Sequence, residues 1–245
     1  MRSAQGPWSV CGIPLQVDAS WFFIVAFVTW SLSTDYFPAR YGGLSHPVYW
    51  AMGGIAALSL FGCVLLHELG HSLVAKRYGI PVSHVTLFIF GGVAHIGSDP
   101  KRPLVELQMA LAGPLVSALI AGACFLAAGT IRLVGPMHLV AAAILRYLAF
   151  VNVAILLFNL LPGFPLDGGR VLRAALWAWS GSLFTATRVA SAVGSMLGWG
   201  LLILGLWEIH QGVWVGGVWS MCLGFFLRNA ARASYRQASS RLLRQ

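Results

Sequence analysis

Long apolar runs alternate with short stretches that carry almost all of the charge. Six runs read as candidate membrane spans: residues 19–33, 48–74, 104–131, 139–161, 186–207 and 213–227. A helix needs about 20 mostly apolar residues to cross a bilayer, so the first and last runs must borrow length from their flanks. Between the second and third, residues 80–90 alternate and are β-branched or aromatic, the period of a strand. Gly91-Gly92 then interrupts before Val93-Ala94-His95-Ile96, which reads as the turn of a hairpin. The pattern predicts an all-α membrane fold: a six-transmembrane-helix bundle with a small membrane-associated β-hairpin or sheet between spans two and three. Residues 1–18 read as a cytoplasmic N-terminal segment, 19–229 as the six-span domain and 230–245 as a basic cytoplasmic tail.

Composition agrees with that pattern. The chain has 245 residues, 58% apolar and 9% charged, with a mean hydropathy of +0.77. A soluble domain carries about 25% charged residues, so too few polar side chains exist here to cover a water-facing surface. The N-terminus lacks a basic region followed by a short apolar core and a small-residue cleavage site, so the first span is expected to be retained. The net charge of +9 lies mostly between or after the apolar runs. It therefore reads as a set of topology determinants, and no nucleic-acid partner is expected. With both termini in the cytoplasm, Arg2, Lys76, Arg77, Lys101, Arg102, Arg170, Arg173, Arg188 and the tail arginines fall inside. Arg40 and Arg132 alone then flank spans outside, and Arg146 lies within the fourth span. The positive-inside rule favours this orientation in a multi-pass protein of the cell membrane. Cys11, Cys63, Cys124 and Cys222 are isolated and suggest no disulfide framework.

The chemistry begins at His67-Glu68-Leu69-Gly70-His71, at the end of a charge-free run. Imidazoles four residues apart share a helix face, one turn from each other. That is the arrangement for two ligands of one tetrahedral zinc, with Glu68 beside the metal as general base. For this composition an HExxH arises by chance about 0.2% of the time. Ionisable groups cost roughly 2.5–3.5 kcal/mol each at mid-bilayer, so their presence in a span marks function.

Catalytic zinc keeps three protein ligands and a water. The acids are Asp18, Asp35, Glu68, Asp99, Glu106, Asp167 and Glu208. Asp167 follows Pro162, Gly163 and Pro165, which break the fourth helix on the cytoplasmic side, level with His67. Non-helical backbone at membrane depth must be buried in protein or line a wet cavity. This favours a ligand; the competing reading is a Pro-Leu-Asp-Gly turn capping the next helix. Cys63, four residues before His67, reads as a packed core residue rather than a ligand. Asn159 offers a carboxamide for a developing oxyanion, although such residues also bind neighbouring helices together. His46, His84, His95, His138 and His210 read as interfacial or structural.

Taken together, these residues resemble the site-2 proteases, intramembrane zinc metalloproteases. The likeness rests on His67-Glu68-Leu69-Gly70-His71, Phe90-Gly91-Gly92-Val93-Ala94, Ala112-Gly113-Pro114, Asn159-Leu160-Leu161-Pro162 and Leu166-Asp167-Gly168-Gly169-Arg170. The start, Gly12-Ile13-Pro14-Leu15 ahead of Trp21, is similar to the six-span bacterial and archaeal branch. The resemblance implies one Zn2+ per chain held by His67, His71 and Asp167, with Glu68 as the base. It also implies that Asn159 helps hold the substrate or transition state, and that Gly91 and Gly92 belong to a substrate-contacting strand. The implied substrate is a single-pass membrane protein cut within or near its span, in regulated intramembrane proteolysis. Many members carry paired regulatory domains after the last span. The resemblance thus leaves room for a regulatory membrane protein or a C-terminal domain that these 245 residues do not contain.

Two other classes compete. A zinc transporter or sensor would need several acids or histidines along the spans, and buried acids beyond Glu68 and Asp167 are nearly absent. A non-catalytic adaptor would have no use for Glu68 in a dry bundle.

Overall fold

The computed structural model describes residues 8–131 and 137–242; Arg2, Arg132 and Arg244 of the charge pattern lie outside them. In chain order the elements are β1 (Trp8–Val10), β2 (Ile13–Val17), α1 (Ala19–Ser31), a π-helical turn (Leu32–Tyr36) and α2 (Phe37–Arg40). There follow α3 (His46–Arg77), β3 (Val82–Phe88), β4 (Gly91–Ile96) and α4 (Pro103–Thr130). The chain continues through α5 (Met137–Asn159), α6 (Asp167–Ser180), α7 (Leu183–His210) and α8 (Trp214–Leu242).

Among the described residues α3, α4, α5 and α7 are long and apolar enough to cross a membrane. They correspond to the second to fifth expected spans. The first expected span is α1, which has 13 residues; helical backbone then continues through the π turn into α2, where Pro38 occupies the first turn. The sixth expected span forms the first part of α8. That helix runs on to Leu242, so residues expected to form a separate tail after 229 are helical up to that point. The break expected at Pro162, Gly163 and Pro165 is followed by the amphipathic helix α6, which lies between the fourth and fifth expected spans.

The small sheet is larger than expected. It has four strands in the order β1-β2-β3-β4, with β2 and β3 parallel and the outer pairs antiparallel. The N-terminal hairpin was hidden because its strands are short and Pro14 argues against a strand interior. Its turn places Cys11 at φ +52° and Gly12 at φ +68°. The second hairpin turns at Ile89-Phe90, with Phe88 opposite Gly91. Gly91 and Gly92, expected to be the break, therefore lie inside β4.

By its contacts the chain divides into two compact units: Met1–Asp99 with Ala112–Leu156, and Pro100–Leu111 with Leu157–Gln245. In the first unit, Leu32, Phe37, Met52, Ala56, Cys63 and Tyr147 belong to one buried cluster. Ile13, Leu69 and Val85 form another and seat the sheet on α3. Asp18 caps α1 by accepting from the Ser20 N–H at 2.9 Å, and Ser20 Oγ accepts from the Ile89 N–H at 3.1 Å. The β3–β4 turn is thereby fastened to the start of α1. Lys76, in the last turn of α3, donates to the Cys11 carbonyl at 3.0 Å, which fixes the tip of the other hairpin. In the second unit, Phe164, Ala190 and Ala231 pack together with Leu172.

Candidate metal centre

His67 and His71 are buried, 3% and 4% exposed, on one face of α3. Their ring centroids lie 4.9 Å apart. The His67 ring nitrogen Nδ1 lies 2.8 Å from Ser117 Oγ on α4. Such a bond fixes the ring orientation and leaves Nε2 for a metal, the usual outer support of a metal-bound imidazole.

Gly113 of α4 shows where the Nε2 atoms of His67 and His71 point. A Cβ built on Gly113 would lie 2.6 Å from His67 Nε2 and would collide with His71 Nε2 as well. Any other residue there would occupy the space that both nitrogens face. Two convergent, buried imidazole nitrogens at a spot kept open by a missing side chain fit zinc, which takes imidazole nitrogen at about 2.0–2.1 Å.

Glu68 is positioned by β4. Glu68 Oε2 accepts from the Ala94 N–H at 3.2 Å. A Cβ on Gly92 would stand 2.6 Å from Glu68 Cγ, so the strand approaches α3 this closely only with glycine at that position. This is the physical reason why a residue read as a turn signal lies within a strand.

Of the remaining acids, Asp18 caps α1 and Asp35 accepts from Thr34. Glu106 pairs with Arg173, and Glu208 accepts from Ser220. Asp167 is the first residue of α6, and Asn159 is the last of α5. Among the described residues, His67, His71 and Asp167 are the group of side chains that could hold a metal ion. Cys63 is core, as read from the sequence. His84 and His95 stack across β3 and β4 with centroids 4.0 Å apart. Burial and the neighbouring His84 lower the pKa of His95 below the ordinary histidine value.

Sequence reasoning missed Ser117, and it had named Gly113 only as part of the resemblance. Both stand on one face of α4, four residues apart, and that spacing was a signal to follow. It also missed Asn152, fully buried on α5, whose amide donates to the Leu148 carbonyl at 2.8 Å.

Comparison with known proteins identifies the family. The sequence model of Peptidase family M50 matches residues 55–137 and 129–203. The protein sll0528 of Synechocystis sp. is 40% identical over 230 residues, 94% of this chain and 59% of that protein. Rip3 of Mycobacterium tuberculosis is 39% identical over 246 residues, 99% of this chain and 61% of its own length. Both carry provisional zinc metalloprotease names. The zinc metalloprotease MJ0392 of Methanocaldococcus jannaschii is 32% identical over 208 residues, 83% of this chain and 54% of that protein. The chain thus spans about three-fifths or less of the length of these curated relatives. Among solved structures, the site-2 protease from Methanocaldococcus jannaschii superposes with a TM-score of 0.58 at 25% identity, covering 93% of both chains. A family match that takes in both histidines, Glu68 and Asp167 settles the relationship: the chain belongs to Peptidase family M50, the site-2 protease family.

Proposed function

We propose that this protein is an intramembrane zinc metalloendopeptidase that cuts single-pass membrane proteins within or near their spans. The observation that carries the reading is the meeting of three features on α3: two imidazole nitrogens over Gly113 and a carboxylate tethered to the β4 strand. His67, His71 and Asp167 would hold one Zn2+; the donor set of two imidazoles and a carboxylate is that of several catalytic zinc sites.

Zinc, when bound, supplies Lewis-acid polarisation and lowers the pKa of water towards about 7. Glu68 takes the proton of the attacking water and hands it to the leaving amine. Ser117 keeps the His67 ring in register throughout. Asn159 is proposed to donate to the carbonyl oxygen of the substrate as charge develops there. A helical substrate hides its carbonyls in its own hydrogen bonds, so it must unwind before the reaction. The edge of β4, including Gly91 and Gly92, would hold the opened segment by strand addition.

The six-span arrangement with both termini in the cytoplasm is part of the same proposal. Four apolar helices support it, as do Lys76 and Arg77 in the last turn of α3 through the positive-inside rule. A role in regulated intramembrane proteolysis in the cell membrane, with a regulatory membrane protein or domain as partner, is part of the same proposal, and membership of the family supports it. The test is product mapping by mass spectrometry after zinc-loaded, detergent-purified protein meets a leucine-rich single-span substrate, with and without an inserted Asn-Pro pair. Cuts in the cytoplasmic half, faster with the insertion, are expected. Cuts in the outer half, or equal rates, would overturn the topology and the unwinding step; no cleavage would overturn the reading.

A further inference from the structure

Glu106 has no part in the chemistry above, yet it is only 1% exposed. It sits in the first turn of α4. Its Oε1 accepts from Arg173 Nε at 2.5 Å and also pairs with Nη2. Arg173 is itself buried, and its guanidinium lies over the Phe164 ring, 5.1 Å from the centroid. A buried ion pair is weak evidence for stability, because apolar residues of similar size often serve as well or better. In some proteins such a pair instead fixes one arrangement of the elements that carry it.

The elements here are informative. Glu106, Gly113 and Ser117 are separated by seven and four residues, about two turns and one, so they share one face of α4. Along that face come a carboxylate bound to α6, the glycine under the imidazole nitrogens and the hydroxyl on His67. Arg173 stands less than two turns after Asp167 in α6.

We propose that Glu106 and Arg173 are a positioning pair, which sets α6 against α4 and so fixes where Asp167 presents its carboxylate. Metal retention then depends on two residues that never touch the metal. The inference rests on the reading of Asp167 as the third ligand.

The experiment measures zinc loss to excess chelator from the full chain in detergent, beside the melting midpoint of the metal-free protein. Glu106→Gln and Arg173→Lys are expected to release zinc about 10–100-fold faster, the size of effect known for outer supports of metal ligands. The double variant Glu106→Met with Arg173→Met separates position from stability. It should melt at or above the wild-type midpoint, since no buried charge is left unpaired, and still release zinc faster. Wild-type retention in that double variant and in Glu106→Gln, with Asp167→Ala poor in zinc, would overturn the pair's role alone. Wild-type retention in Asp167→Ala would overturn the ligand assignment on which it rests.

Discussion

His67 Nδ1 and Ser117 Oγ lie 2.8 Å apart, both buried, fifty residues apart in the chain. On the proposed reading of His67 as a metal ligand, this contact turns Nε2 towards the metal. Ser117→Ala should weaken zinc binding by about 10–100-fold, as loss of an outer partner does elsewhere, and Ser117→Thr should keep most of it. Competition with a chelator of known affinity reads this directly; an unchanged affinity in Ser117→Ala would show that packing alone orients the ring.

The space over Gly113 gives a steric prediction. A methyl group there meets both Nε2 atoms, so Gly113→Ala should push the imidazoles apart and deplete zinc. The helix itself gains from this change, because alanine is the better helix former by about 1 kcal/mol. That gain offsets part of the cost of overpacking, about 1–3 kcal/mol, so Gly113→Ala should stay folded while binding less zinc. Full zinc occupancy by elemental analysis would contradict the geometry.

Much of this was legible in the residues. Spacing of four placed His67 and His71 on one face, and the apolar runs located α3, α4, α5 and α7 to within a few residues. The features that escaped are those decided by tertiary contact. Gly92 looks like a turn signal locally, and only the approach of Glu68 explains it as strand. Trp8–Val10 is too short to show a period, and it pairs because Ile13–Val17 is already held in parallel register with β3. Ser117 is one of several small polar residues in apolar helices, and only its spacing of four from Gly113 sets it apart. Glu106 is one of seven acids in the sequence, and only the fold brings Arg173, 67 residues away, against it.

Glu68 should prove essential for turnover and dispensable for metal. Glu68→Gln keeps the shape and the Ala94 contact while removing the proton acceptor, so cleavage should fall by about 10²–10⁴ with zinc content unchanged. Gly92→Ala should lower cleavage as well, since its methyl group would displace Glu68 Cγ without meeting a ligand. Activity within about tenfold of wild type in Glu68→Gln, short of what a general base supplies, would sink the assignment.

Asp167→Ala should drop bound zinc well below one per chain, whereas Asp35→Ala should leave it intact. Asp35 is accounted for by Thr34 Oγ1, which donates to its carboxylate at 3.3 Å. Elemental analysis of the purified variants decides between them, and equal occupancy would return Asp167 to the role of a helix-capping turn.

The His84–His95 stack makes the β3–β4 hairpin sensitive to acid. Burial, and then the charge of His84, hold the pKa of His95 below its ordinary value of 6.5. A histidine depressed in this way binds its proton more weakly when folded than when unfolded. Its neutral form costs the hairpin nothing above pH of about 6.5, and stability is lost as the pH falls below that value and the unfolded chain takes the proton preferentially. Protection factors of the β4 amides from hydrogen exchange should therefore drop between about pH 7.5 and 5.5. His95→Gln should flatten that dependence, and His84→Gln should reduce it by removing the neighbouring charge. The effect should reach the active site, because the Ala94 N–H next to His95 holds Glu68. Equal protection factors at both pH values in the wild-type protein would contradict the coupling of the two rings.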